Sequence, residues 1–265
     1  TATATATAQA AATSGNAYAS AFATGVYQFS DAAAADVDLY NYGSISATAS
    51  ANATASEYGV ANAYAYGVDQ EVSGNAVSLT LTNHGDITAT AFGNALGTTY
   101  LAAASAQAYG VVQENHANVA TVALSNDGTI KALAVAYATG SDTAEYGGGT
   151  VYAYAVEQSG YGVSADLSLV NGGLIEARAA AHVYATDSAN PTFASANGVY
   201  QHVSTGAGSI DLYNDGSIVA TAAVTATAFN YAGTQSYAAV TGVDQIARGS
   251  SAALTLTNHG TISGT

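Results

Sequence analysis

An all-β fold, and within it a parallel β-solenoid, is predicted for this chain by three features. A turn recurs at near-constant intervals, apolar residues alternate with polar ones between the turns, and a second mark stands at fixed distance from the first. The turn is N-x-G, with Asn at 41, 83, 126, 171, 214 and 258, at spacings of 42, 43, 45, 43 and 44 residues. The stretch LTLTNHG even recurs letter for letter at 79 and 254. About six tandem repeats of 42–45 residues in one domain over 1–265 follow, with boundaries near 43, 85, 128, 173, 216 and 260.

The second mark is G-V-x-Q, beginning at Gly25, Gly67, Gly110, Gly198 and Gly242, with Ala155 in place of glycine in the remaining copy. It lies 18 residues before the corner glycine in every copy, whereas the opposite interval runs from 24 to 27. One half of the repeat is therefore rigid in length, and the other carries variable loops, at 52–60, 93–102, 138–150, 183–192 and 227–236.

Each run before a corner keeps its large apolar residues on one parity, as in Leu79-Leu81 and Val122-Leu124, with Asp, Thr, Ser or Tyr on the other. That is a strand with one buried face. After the corner the pattern continues, as in Ile87-Ala89-Ala91, and a third alternating run, such as Ala61-Ala63-Ala65, leads to G-V-x-Q. Alanine at a spacing of two is a strand signal here, not a helical one.

Stacked coils at about 4.8 Å place identical residues in columns. Parity turns the corner residues Asn41, Asn83, Asn126, Asn171, Asn214 and Asn258 inward, and likewise Gln28, Gln70, Gln113, Gln158, Gln201 and Gln245. Both sets are expected to form amide ladders, because a buried amide is costly unless it is paired. The corner glycines Gly43, Gly85, Gly128, Gly173, Gly216 and Gly260 are expected to turn the chain without steric penalty, next to an Asn that tolerates left-handed angles. The alanine columns imply a thin core, since a methyl buries little area at about 25 cal/mol per Å². A perimeter of some 43 residues is long for a dry interior, so two coils per repeat are expected.

Composition narrows function. Three basic residues, Lys131, Arg178 and Arg248, face 18 acidic ones, giving a net charge of −15. Nucleic acid and anionic membranes are disfavoured as partners, since both require a basic face. There is no cysteine and no apolar run of membrane-spanning length, and the opening TATATATA reads as part of a mature or excised segment. Carboxylates such as Asp38 with Asp211, Asp36 with Asp166, and Asp69, Glu157 and Asp244 occupy repeated outward slots. This fits a solvated face better than a converged acid–base site. The histidines match no zinc spacing, and no calcium-binding nonapeptide is present. No catalytic residue, metal site or cofactor is expected. Ranks of outward Thr for ice binding are broken by the column Ser46, Thr88, Lys131, Glu176, Val219. Among 19 tyrosines, Tyr64, Tyr66, Tyr152 and Tyr154 lie opposite the alanines, as cross-strand packing or as a candidate contact surface for sugar or another filament.

N-x-G-x-I-x-A corners within Ala-, Thr-, Ser- and Gly-rich arrays resemble the repeat regions of large bacterial secreted and surface β-solenoid proteins, such as autotransporter passengers and filamentous-haemagglutinin-type adhesins. The resemblance implies an extracellular or cell-surface location and a role in adhesion, matrix or fibre formation, and it carries over no binding residues. With both termini reading as uncapped, a non-enzymatic, head-to-tail homopolymer is expected, with cell-surface or matrix polysaccharide as a further partner. The rival expectation is a monomeric carbohydrate-binding or carbohydrate-active module with its site in the variable loops.

Overall fold

The computed structural model describes residues 1–140, 146–186, 188–189, 192–228 and 236–265. Every regular element among them is a strand, and every strand pairing is parallel. The second coil shows the plan. Its first leg, Ser44–Ala55, follows the corner; a long leg, Tyr58–Ser73, returns; and a short leg, Ala76–Asn83, leads to the next corner.

First legs stack into a seven-stranded sheet in sequence order, from Ala2–Ala12 to Thr261–Gly264. Long and short legs join in a second sheet. In Tyr146–Asn171 and Thr192–Asn214 the two legs run on as one continuous strand.

The register settles how many coils a repeat contains. Ile45 pairs with Ile87, Ile130 with Ile175 and Asn171 with Asn214, so each repeat makes one coil. The expectation of two coils was wrong because it assumed a rounded cross-section. The coil is instead flattened into two layers. The long leg packs against the first leg in one apolar cluster and against the short leg in another, so side chains fill the space within the long perimeter.

Two apolar clusters fill the space between the layers. One packs the alanines of first and long legs, such as Ala47, Ala49, Ala61 and Ala63, all at 0% exposure. The other packs long against short legs through Val72, Leu79, Val122, Leu167 and Ile210. Alanine facing alanine brings the layers close, so stability comes from continuous parallel ladders together with modest apolar area.

Between the clusters the cross-section bends. On one layer the bend is N-x-G, and its middle residue projects into solvent, Tyr42 being 75% exposed. On the other layer alternation breaks where two successive residues turn inward, Gly67-Val68 and Gly110-Val111. Glycine is needed there because a Cβ on Gly67 would stand 2.7 Å from Ile87 Cγ2 and 2.5 Å from the Gly110 carbonyl oxygen. Nothing in the structure explains how the methyl of Ala155 is accommodated in the same column.

Candidate functional site

The features that repeat in every coil are polar and sit inside the bend. Asn41 Nδ2 donates to Asn83 Oδ1 at 2.7 Å, and the chain continues through Asn126, Asn171, Asn214 and Asn258 at 2.7 to 2.8 Å. The same amide nitrogens also reach carbonyls, Asn83 Nδ2 those of Gly85 and Thr129. The glutamines form a second ladder. Gln70 donates to Gln28, Gln113 to Gln70, Gln158 to Gln113, Gln201 to Gln158 and Gln245 to Gln201, at 2.7 to 3.0 Å. Gln70, Gln113, Gln158 and Gln245 also donate to the short leg, as Gln70 Nε2 does to the Thr80 carbonyl at 3.4 Å.

The two ladders run in opposite senses. Asparagine donors point toward the C-terminal coils and glutamine donors toward the N-terminal ones, so the aligned amide dipoles of one oppose those of the other. Chains of hydrogen bonds polarise one another, and all of these amides but the outermost lie out of water.

Breaking one rung costs more than one bond, because it severs the ladder on both sides and leaves the buried Asn171 Oδ1 without its amide donor, while Asn83 Nδ2 keeps only its backbone carbonyls. Asn126→Ala removes the acceptor of Asn83 and the donor to Asn171. The expected loss is about 2 to 4 kcal/mol, read as a lower midpoint in urea unfolding.

Among the described residues one buried amide is incompletely satisfied. Asn115 Oδ1 accepts from the Ala117 backbone N–H at 2.6 Å, but its Nδ2 has no partner, at 0% exposure. In the neighbouring coil the same position holds Val72. Asn115→Val is expected to raise stability by about 1 kcal/mol, visible as a higher melting temperature.

The corner glycines do their work by close approach of stacked coils. None of them has left-handed backbone angles, so it is the space beside them that a side chain would lack. A Cβ on Gly85 or Gly128 would lie 2.0 Å from the carbonyl oxygen of the corner glycine beneath. That oxygen accepts a backbone N–H from the next coil, as Gly85 does from Thr129 at 2.9 Å.

Outward residues of the long leg converge where the bend is concave. Tyr66, Tyr109 and Tyr154 stack with ring centroids 4.8 and 5.4 Å apart and planes within 7°. Across the bend follow Asp69, Val112 and Glu157, in register on successive coils, with Glu71 and Glu114 two residues further along. Burial, reinforced by Glu114, raises the Glu157 carboxyl to about 7. Burial, then Glu71 and Glu114, raises Asp69 to about 6. Burial likewise pushes the Tyr66, Tyr109 and Tyr154 hydroxyls up.

Of the tyrosines singled out from sequence, Tyr66 and Tyr154 thus belong to a ring stack completed by Tyr109. Tyr152 packs against Phe193 at 5.4 Å, and Tyr64 lies in register with Gln107 and Phe22. The stacked ring faces cover one another, and the Tyr109 hydroxyl donates to Gln107 Oε1 at 3.3 Å. Tyr109, Glu114 and the groove itself escaped the sequence reading. The signal was the residue on either side of G-V, which parity assigns outward without revealing that the two converge.

Other candidate features stay apart. Lys131 and Arg178 both pair with Glu176, at 3.4 and 2.5 Å, on the outward face of the first legs. His84 pairs with Asp127, His116 with Glu114 and His259 with Asp215. Among the described residues no group of three or more His, Asp or Glu is placed to hold a metal ion. Of the variable loops, 52–60 and 93–102 are mostly strand with short turns, while parts of 138–150, 183–192 and 227–236 lie outside the described residues.

No family model matches this chain, and no curated protein or solved structure is significantly similar to it.

Proposed function

We propose that the chain is a non-enzymatic structural segment of an extracellular or cell-surface β-solenoid filament, extended axially by further copies of the same coil. The supporting observation is the ladder pair: every coil offers the next an identical donor–acceptor arrangement in the same register. A coil of a second copy can satisfy that arrangement as well as a coil of the same chain. A heterologous contact of this kind does not close on itself, so it generates a fibre. The charge of −15 opposes lateral clumping and leaves axial stacking as the favoured contact. Adhesion or matrix formation, and the bacterial surface origin, rest on the sequence resemblance.

Electron microscopy with fibre diffraction is the test. Filaments with an axial repeat near 4.8 Å are expected. Short uniform particles at every concentration would overturn axial assembly.

A further inference from the structure

A file of tyrosines runs along the long-leg layer, one from each of three successive coils. Tyr66, Tyr109 and Tyr154 share a column because each precedes the bend of its own coil and the coils stack in register. Their rings lie face to face, with centroids 4.8 Å apart for Tyr66 and Tyr109, 5.4 Å for Tyr109 and Tyr154, and planes within 7°. Rings repeated along a stack in this way set each ring carbon beside its counterpart. Other tyrosine pairs are less well placed. Tyr58 and Tyr100 are 5.8 Å apart with planes inclined by 15°, and Tyr154 meets Tyr200 edge-on at 6.3 Å.

Face-to-face stacking is the geometry from which phenoxyl radicals couple. A one-electron oxidant takes an electron from a phenol while the hydroxyl proton leaves to water. The unpaired electron then spreads to the ring carbons ortho to oxygen, in an orbital that projects from the ring face. Two facing radicals form a carbon–carbon bond through those positions, and each joined carbon passes its proton through water to the neighbouring oxygen, which restores both aromatic rings. Two phenols and one hydrogen peroxide thus give one biphenol and two waters. Holding the partners together turns a chance encounter into a step within the fold. The coil spacing of about 4.8 Å fixes the backbones, so only the side chains need lean to close the gap.

We propose that the Tyr66, Tyr109 and Tyr154 stack is a site of oxidative modification, at which a peroxide-driven one-electron oxidant joins tyrosines of successive coils as dityrosine. Tyr109 belongs to both close pairs, so every such link passes through it. A bond between consecutive coils closes a whole repeat into a loop, which restricts the unfolded chain and fastens the coils against separation. The chain has no cysteine with which a disulfide could do the same. The reacting pairs lie within one chain, so the test is independent of whether copies stack into filaments.

Treating the dilute intact chain with hydrogen peroxide and a small haem-peptide catalyst, able to reach half-buried rings, tests this. Dityrosine fluorescence is expected in a product with the mass of a single chain less two hydrogens. Cleavage after acidic residues separates the three tyrosines, since Asp69, Glu114 and Glu157 follow them in turn. Mass spectrometry of the fragments should then find Tyr109 joined to Tyr66 or to Tyr154. Tyr109→Phe keeps an aromatic ring in the stack and loses only the hydroxyl contact with Gln107. It is expected to melt close to wild type while its dityrosine yield falls about fivefold or more; Tyr100→Phe leaves the yield nearly unchanged. The cross-linked protein should unfold at a higher urea concentration than the untreated one. No dityrosine, an unchanged yield for Tyr109→Phe, links spread over the folded chain's tyrosines as they are over the urea-unfolded chain's, or products joined only between chains would each overturn the proposal.

Discussion

Gly128→Ala is expected to leave the chain unable to fold to its native stack at room temperature. The new Cβ would fall 2.0 Å from the Gly85 carbonyl oxygen, which is backbone and is already bonded to the Thr129 N–H. Relief requires the two corners to separate, which breaks that bond and pulls Asn83 and Asn126 apart just inside it. Clash and broken ladder together are expected to cost at least about 4 kcal/mol, among the largest effects of a single methyl. Far-ultraviolet circular dichroism during urea unfolding measures it. Gly172→Ala is the control. Its Cβ would closely approach only the Asp127 side chain, at 2.8 Å, and the slot already holds Asp127 and Asp215 in the neighbouring coils. Equal losses for the two variants would refute the close-approach explanation.

The second large effect is on pH dependence. Glu157 has its carboxyl raised from 4.5 to about 7, so the folded state holds this proton more tightly than the unfolded chain does. Its contribution is therefore most favourable below about pH 4.5, declines as pH rises toward 7, and is flat above. For this mostly buried group the difference is on the order of 2 to 3 kcal/mol. Asp69, raised to about 6, acts in the same direction but is screened by solvent and adds less. Glu71 and Glu114 are the facing carboxylates, and Glu114 lies 2.9 Å from the His116 imidazole. Wild type is expected to melt at a higher temperature near pH 5 than near pH 8. Glu157→Gln should remove most of that slope and stabilise the protein near pH 8. A variant that parallels wild type at both pH values would show that Glu157 is not the group responsible.

Such a pH response would also shape any assembly. Protonation of the groove lowers the net negative charge of every copy, which weakens repulsion between copies as well as within one.

Much of the fold was legible in the letters. The interval between N-x-G corners equals the register between stacked strands, because in a parallel stack each residue pairs with its counterpart one repeat later, as Asn41 does with Asn83 and Asn83 with Asn126. Two-residue parity likewise placed the Asn and Gln columns on the inner face, since alternation is a local property of an extended backbone. The variable loops also declared themselves by length, although most of 52–60 and 93–102 belongs to strands.

What alternation could not convey was the shape of the coil. Parity says which side of a strand a residue faces, not which strand it faces across the interior. A rounded coil and a flattened one therefore share the same pattern, and the number of coils per repeat was misjudged. Repetition and parity by themselves determined the stacking direction, the columns and the polar ladders, all consequences of one repeat lying on the next. Only the tertiary structure decided that two thin alanine-faced layers close on each other and bend at Gly67-Val68 opposite Asn83. That bend brings Tyr109 and Glu157 together from opposite sides of a corner, because the distance between them depends on an angle that no local pattern encodes.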